Sequence, residues 1–197
     1  MSKPVLYLAS ASPRRRELLA QIGVPIERIV CEIDETPLIN EAPRAYVERL
    51  ARGKAAAGMA VVQRDARPAG LLLAADTTVA LGNTLLGKPA DTADACAMLR
   101  SLSGQTHHVL TAVAVTDGHR IGVRTSMTEV RFRTLDEATI AAYVATGEPM
   151  DKAGSYGAQG RGALLIDTLS GSFSGVVGLP LAETGDLLRE FAYPLWA

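Results

Sequence analysis

The sequence predicts an α/β protein with a mixed β-sheet and flanking helices, and three of its features support this prediction. Apolar, strand-like runs alternate with amphipathic helical segments along the whole chain. Residues 71–75 form a continuous apolar run, which is typical of a strand covered on both faces. Turn signals at Gly82–Asn83 and at Asp117–Gly118 lie between strand-like runs, so both predict antiparallel hairpins.

The predicted elements follow one another through short connections. A strand over residues 4–10 leads into a helix for which Ser12 is a suitable N-cap and Gly23 a suitable end. Further strands are expected within residues 26–37, 70–89, 107–118 and 119–132, and further helices within residues 42–58, 91–104, 136–146 and 176–191. This order predicts one mixed unit with two lobes and a cleft between them.

The composition of the chain limits the partners that it can bind and the compartment in which it is expected. The chain has 197 residues and a formal net charge of −1, so no global field attracts it to nucleic acid or to an anionic membrane. Any anion site must therefore be local. The two cysteines, Cys31 and Cys96, form no CxxC pattern, which fits a reducing compartment. No apolar run has the length of a signal peptide or a membrane span, so we expect a cytoplasmic protein.

Three consecutive arginines, Arg14, Arg15 and Arg16, open the first predicted helix. A helix N-terminus carries partial positive charge, so cations are locally unfavourable there. A bound anion would remove this conflict, because backbone N–H groups and guanidinium groups would converge on it. Helical spacing places Arg15 on the core-facing side, Arg14 beside it and Arg16 towards solvent. A solvated basic turn that pairs with Glu17 or Glu41 is the alternative.

Asp76 follows the apolar run and is therefore expected at the carboxyl-terminal edge of a central strand. Ligands of open α/β sheets bind at that edge. A carboxylate there can ligate Mg²⁺ or act as a general base towards water. The alternative is an aspartate that caps a turn through Thr77 or Thr78.

Two lysines are further candidates for contact with an anion. Lys54 lies at the end of an apolar helical stripe, so its side chain either enters a cleft or extends along the surface to solvent. Lys88 follows the first predicted hairpin and precedes Pro89. It is either a phosphate contact or an ordinary exposed loop lysine.

An acidic turn and a glycine-rich segment complete the candidates. Glu32, Asp34 and Glu35 offer oxygen ligands for a hard cation beside Asp76, or they form a solvated turn. Residues 151–162 hold four glycines without the spacing of a P-loop, and Gln159 among them offers a donor and an acceptor to a base edge. The alternative for this segment is a mobile surface loop.

Together these residues suit a polyphosphate substrate with its metal. Positive groups would hold the phosphates, and carboxylates would hold Mg²⁺ or Mn²⁺ and activate water. The three histidines form no Ser/His/Asp or Cys/His order, which gives covalent acyl-type catalysis little support.

Seven segments, taken in order, resemble the Maf family of nucleotide pyrophosphatases: LASASPRRRELL, EIDETP, AADTTV, LGKP, LSGQTHHVLTAV, YVATGEPMDKAGSYGAQG and VVGLPL. The match runs from about Leu6 to Glu183. The resemblance implies one domain over residues 1–197, elongated and with a deep cleft between two lobes, similar to the inosine triphosphate pyrophosphatases. It also implies hydrolysis of a nucleoside triphosphate to the monophosphate and pyrophosphate with a divalent cation, Mg²⁺, Mn²⁺ or Co²⁺, and it suggests a homodimer.

The resemblance further implies roles for residues of these motifs. Asp76 is the proton acceptor, and Glu35 serves the metal or the attacking water, so Asp76 and Glu35 are the expected metal ligands. The residues expected to grip the phosphates are Ser10, Arg14, Arg15, Lys54 and Lys88.

Three positions separate the branches of the family by base preference. The branch that resembles the dTTP/UTP pyrophosphatases has Arg, Thr and Gln where this sequence has Arg14, Thr77 and Gln159. The branch acting on 7-methyl-GTP has an aromatic residue, Gln and Glu instead. The resemblance thus implies a house-cleaning pyrophosphatase for dTTP, UTP and modified pyrimidine nucleotides. The alternatives are the same chemistry on 7-methyl-GTP and a nucleotide-binding regulator of cell division without turnover.

Overall fold

The computed structural model describes residues 4–196 and confirms the predicted α/β class. Within these residues seven strands form one open mixed sheet: β1 (Val5–Ala9), β2 (Glu27–Ile29), β3 (Gly70–Leu81), β4 (Thr84–Leu86), β5 (Thr106–Thr116), β6 (Ile121–Phe132) and β7 (Ile166–Ser170). The α-helices found in the same range are α1 (Pro13–Gln21), α2 (Pro43–Arg64), α3 (Thr92–Leu102), α4 (Glu137–Ala145), α5 (Phe173–Val177) and α6 (Leu181–Glu190). Short 3-10 turns at Glu148–Asp151, Ala153–Ser155 and Arg161–Leu165 connect α4 to β7.

Strand β3 organises the sheet, whose order is β2-β1-β3-β5-β6-β7. Strand β5 pairs antiparallel with Leu72–Ala80 along one edge of β3. The other edge is shared, because β1 pairs in parallel with Gly70–Ala74 and β4 pairs antiparallel with Val79–Leu81. Among the described residues no strand covers Ala75–Thr78 on this edge. The resulting gap in the sheet is where a cleft can form.

Alternation along β1 and β3 sends side chains into two cores on opposite faces of the sheet. Leu6 and Leu8 join the core beneath α1 and α6, whereas Tyr7 and Leu72 join the core beneath α2. Gly58 lets α2 approach the sheet closely, because a Cβ there would lie 2.7 Å from the Leu72 side chain. This packing fixes the position of α2 against β3.

A third core lies beyond the gap, where α3 and α4 pack over the far end of the sheet. Its buried side chains include Val79, Leu99, Phe132 and Ile140. Because the cores lie on either side of the unpaired stretch of β3, the molecule has the two predicted lobes with a cleft between them.

The predicted position of Asp76 at the end of a strand is wrong. Strand β3 continues through Asp76 to Leu81, since residues 77–81 are β-branched or apolar. Thr77–Ala80 pair with β5, and Val79–Leu81 pair with β4. The strand that ends beside Asp76 is β1, whose parallel pairing stops at Ala9 opposite Ala74. Asp76 therefore lies beyond the carboxyl end of β1, in the middle of β3.

Smaller differences concern element ends. Helix α2 runs to Arg64 rather than Gly58, because Met59 and Val62 continue its buried face. The second strand is confined to Glu27–Ile29, and Ser12 is the N-cap of α1 without a side-chain cap hydrogen bond. Over residues 4–196, no helix combines the length and the apolar character needed to cross a membrane.

Candidate active site

A cleft of about 560 Å³ opens beside the unpaired stretch of β3. Its walls come from the start of α1, the loop before α2, the loop after β4, and the segment that follows α4. The structure places all of the predicted site residues on these walls: Ser10, Arg14, Arg15, Glu35, Lys54, Asp76, Thr77, Lys88 and Gln159. Residues far apart in the sequence thus meet around one space.

The centre of the cleft is an ion-pair cluster around Lys54. The Nζ atom of Lys54 lies 2.6 Å from Oδ1 of Asp76 and 2.8 Å from Oε1 of Glu35. Helix α2 supplies Lys54, strand β3 supplies Asp76, and the loop between β2 and α2 supplies Glu35. The extension of Lys54 to solvent, one of two possibilities from the sequence, is excluded because its side chain turns onto Asp76 and is 16% exposed.

Asp76 is a carboxylate held in a largely dry position. Burial raises the pKa of its carboxyl group, although Lys54 and Arg15 nearby favour its charged form. A carboxylate with a raised pKa is a stronger proton acceptor, and such groups cluster at catalytic sites. The alternative of a turn-capping aspartate is wrong, because Thr77 and Thr78 continue the strand.

Arg15 joins three parts of the cleft wall. Its Nε donates to the carbonyl oxygen of Gly178 at 2.8 Å, Nη1 to Oγ of Ser10 at 3.1 Å, and Nη2 to Oγ1 of Thr77 at 3.3 Å. A guanidinium group has five N–H donors, so two remain for a ligand. The core-facing direction predicted for Arg15 is therefore correct, and most of its donors organise the wall itself.

A directed chain of hydrogen bonds continues from Arg15 through two threonines. The hydroxyl of Thr111 donates to the carbonyl oxygen of Gly175 at 2.7 Å, so its proton is committed. Thr77 lies 2.9 Å from Thr111 and must therefore be the donor of that pair. Thr77 thus offers only acceptor lone pairs towards the cleft, and Thr111 is a contributor that the sequence did not reveal.

The neighbours of Arg15 differ in environment. The Nη2 atom of Arg14 lies 3.6 Å from Oδ2 of Asp151 across the cleft. Arg16 is exposed, as the helical spacing predicts. The alternative pairing of these arginines with Glu41 is wrong, because Glu41 binds Arg49 with an Nε–Oε1 distance of 2.6 Å. Arg14 therefore bridges the two lobes.

The acidic turn contributes one carboxylate rather than three. Glu35 reaches Lys54, whereas Asp34 accepts from the backbone N–H of Thr36 at 2.8 Å. The loop is fastened to α2, because Tyr46 donates to the Glu35 carbonyl oxygen at 3.0 Å and Arg49 to that of Thr36 at 3.1 Å. The role of Tyr46 in placing Glu35 is a finding of the structure.

Asp76 and Glu35 are the carboxylates of this cluster that could hold a divalent cation. No set of three or more His, Cys, Asp or Glu side chains within residues 4–196 is arranged to hold a metal alone. Mg²⁺ is commonly held by one or two carboxylates together with substrate phosphates and water. Asp76 and Glu35, which converge on one ammonium group, match that donor set.

The glycine-rich segment is packed against the second lobe, in contrast to the alternative of a free surface loop. Tyr156 is buried, and its hydroxyl lies 2.8 Å from Nε2 of His107. Its ring also meets that of Phe132 edge-on at a centroid distance of 4.7 Å. Gln159, three residues after Tyr156, is exposed and lines the cleft.

Comparison with known proteins covers both lobes of this structure. A family model described as Maf-like protein matches residues 5–191. A protein of Aromatoleum aromaticum named dTTP/UTP pyrophosphatase is 54% identical, over 98% of this chain and 100% of its own length. A protein of the same name from Dechloromonas aromatica is 52% identical, over 95% of this chain and 98% of its own length. Another from Escherichia coli is 53% identical, over 94% of this chain and 92% of its own length.

Proposed function

The chain belongs to the Maf family, and from that premise we propose that it hydrolyses dTTP and UTP to the nucleoside monophosphate and pyrophosphate. The observation that carries the proposal is the buried Asp76 in contact with Lys54, in a cleft that also presents Arg15 and Lys88. The relatives named dTTP/UTP pyrophosphatase support it, since they match nearly the full length of the chain.

The triphosphate would lie along the basic wall of the cleft. Two N–H groups of Arg15 have no hydrogen-bond partner within residues 4–196, and Lys88 and Arg14 line the same cleft. These groups would neutralise the charge that develops on the leaving pyrophosphate, and such preorganised charges are among the largest contributions to catalysis.

Asp76 would accept the proton of the attacking water. Lys54 holds one of its carboxylate oxygens, which leaves the other for the water. The water oxygen bonds to the α-phosphorus while the bond from that phosphorus to the bridging oxygen breaks. The bond electrons leave with pyrophosphate, and the proton stays on Asp76 until it is released to solvent. The raised pKa of Asp76 suits this exchange.

A divalent cation, Mg²⁺, Mn²⁺ or Co²⁺, belongs to the proposal, with Asp76 and Glu35 as the residues that would hold it. When bound, it would withdraw charge from the phosphate oxygens. Lys54 keeps the two carboxylates at one place before any cation arrives, because its ammonium group contacts both.

Base selection would rest on the opposite wall. The amide of Gln159 offers both a donor and an acceptor, which match the O4 and N3–H edge shared by uracil and thymine. Thr77 would act chiefly by orienting Arg15, since its own proton is committed to Thr111. Modified pyrimidine nucleotides with the same edge are expected substrates, and the two free cysteines favour the cytoplasm as the place of reaction.

The test is pyrophosphate release from a panel of nucleoside triphosphates with each cation, by the wild type and by Asp76→Asn. We expect preferential release from dTTP and UTP and a fall in kcat of about 10²–10⁴-fold in the variant. Asp186→Asn is the matched control, because Asp186 pairs with Arg189 on the surface of α6. Binding without turnover would favour the regulator, and preference for 7-methyl-GTP would favour the other branch.

A further inference from the structure

The segment that carries Gln159 is held at both ends by two side chains that do not line the cleft. The backbone N–H of Gly157 donates to the Tyr143 hydroxyl at 3.1 Å. At the other end, the N–H of Arg161 donates to Oε2 of Glu148 at 3.1 Å and that of Gly162 to Oε1 at 2.9 Å. Tyr143 donates in turn to Oε1 of Glu148 at 3.0 Å, which links the two ends.

The clamp, defined as Tyr143 and Glu148, leaves no room for a side chain at Gly162. A Cβ on Gly162 would lie 2.6 Å from the Tyr143 hydroxyl oxygen and 2.4 Å from the carbonyl oxygen of Gly157. Gly160 has φ of +93°, a conformation that L side chains rarely adopt. The close approach at Gly162 and the positive φ of Gly160 therefore explain these two glycines, without any contact to phosphate.

Glu148 acts in the clamp as an ionised acceptor. Burial favours its neutral form, but the N–H donors of Gly162 and Arg161, the Tyr143 hydroxyl and the charge of Lys152 together outweigh burial and hold the pKa of the carboxyl group below its usual value. Both oxygens then accept, which one amide or one protonated acid could not do. The Nζ of Lys152 donates to the Glu148 carbonyl oxygen at 2.6 Å and steadies the same turn.

Only three residues, Ala158, Gln159 and Gly160, lie between the held N–H groups of Gly157 and Arg161. Ala158 is buried, whereas Gln159 is exposed on the cleft wall. We propose that Tyr143 and Glu148 are positioning residues for base selection, because they fix the backbone on both sides of Gln159 and so aim its amide at the base. The inference rests on the proposed pyrimidine preference and assigns residues that never touch the substrate.

The test compares nucleotides with a substrate that has no base. Glu148→Gln keeps the size of the side chain but removes one acceptor, and Tyr143→Phe removes only the bridging hydroxyl. We expect either change to lower kcat/KM for dTTP and UTP by about tenfold, mainly through KM, since each removes a hydrogen bond that orients the segment. Hydrolysis of ribose 5-triphosphate should stay within about twofold of the wild type, because its phosphates meet the other wall.

Glu137→Gln is the matched control, since Glu137 lies in α4 and binds Arg100 at 2.7 Å on the surface. The decisive comparison makes Glu148→Gln in the Gln159→Ala variant. A clamp that acts through the Gln159 amide has no amide to position in that variant. In this background, Glu148→Gln should lower kcat/KM for dTTP by less than about twofold. The effects of the two substitutions would then be strongly non-additive. Should Glu148→Gln yield no folded protein, Tyr143→Phe carries the same cycle.

Equal losses for dTTP and ribose 5-triphosphate would overturn the inference, as would additive losses in the double variant. A wild type that shows no preference for dTTP and UTP would instead overturn the proposed function. The two failures are therefore distinguishable in one set of assays.

Discussion

The two ends of the cleft are built in different ways. At the end that holds Asp76, charged side chains project from regular elements and contact each other directly, with Lys54 between two carboxylates. At the end that holds Gln159, an irregular backbone presents one amide, and hydrogen bonds to backbone N–H groups set its position.

The difference suggests a division of labour between a part that reacts and a part that selects. Chemistry needs charges at fixed distances, which a long helix on a central strand provides. Selection needs a hydrogen-bonding edge that can be exchanged without disturbing those charges, and a short segment on a separate lobe allows this. Substitutions at the first end should therefore affect every triphosphate equally, whereas substitutions at the second should depend on the base.

The largest expected effect follows from Lys54→Met, which leaves Asp76 and Glu35 without their common partner. We expect kcat/KM to fall by about 10²–10³-fold for every triphosphate, with the order of substrates unchanged. Steady-state kinetics on dTTP, UTP and ribose 5-triphosphate measure this, and Arg52→Met on the exposed face of α2 is the control. A loss confined to the pyrimidine nucleotides would break the proposed division.

The second effect concerns the stability, in acid, of the lobe that carries Gln159. Burial lowers the pKa of His107 from 6.5 to about 4, so the folded protein keeps this ring neutral where the unfolded chain takes up a proton. The neutral ring therefore contributes on the order of 3 kcal/mol to the free energy of unfolding above pH 6.5, and this contribution is lost as the pH falls towards 4.

Urea unfolding between pH 4 and 7 measures this dependence. His107→Gln keeps a polar partner for the Tyr156 hydroxyl but does not titrate, so the free energy of unfolding should fall less steeply with acid than in the wild type. Identical slopes for the two proteins would show that His107 does not carry the effect. The centre of the reacting end is instead an ion-pair cluster.

The smallest effect is expected at the selecting amide itself. Gln159→Glu removes the donor and places a negative charge near the base edge, so kcat/KM for dTTP and UTP should fall by about tenfold. Ribose 5-triphosphate should be hydrolysed at nearly the wild-type rate. An unchanged order of substrates in a competition assay would remove Gln159 from the selecting end.

Much of the fold could be predicted from the sequence because its signals are local. Apolar periodicity and turn residues predicted both hairpins and the described α-helices other than the short α5, and the pairing of β5 with β6 follows the Asp117–Gly118 turn. Asp76 was misplaced because the end of the apolar run resembled the end of a strand. The pairing of Thr77–Ala80 with β5, which extends β3, depends on residues distant in sequence.

The candidate site shows the same limit. Motifs identified the residues that line the cleft, but not the partners that hold them. Thr111 lies 34 positions from Thr77, and Glu148 lies 14 positions from Gly162. No spacing rule connects such pairs, because Thr77 meets Thr111 through the register of β3 with β5, and Glu148 meets Gly162 only when the segment after α4 folds back on itself. The sequence thus predicted the groups that face the ligand better than those behind them.

The central claim is that the reacting end directs water to the α-phosphorus of dTTP. Hydrolysis of dTTP in water enriched in ¹⁸O, followed by mass spectrometry of the products, tests it most directly. We expect one ¹⁸O atom in thymidine monophosphate and unlabelled pyrophosphate. Label in pyrophosphate, or release of orthophosphate in its place, would contradict it.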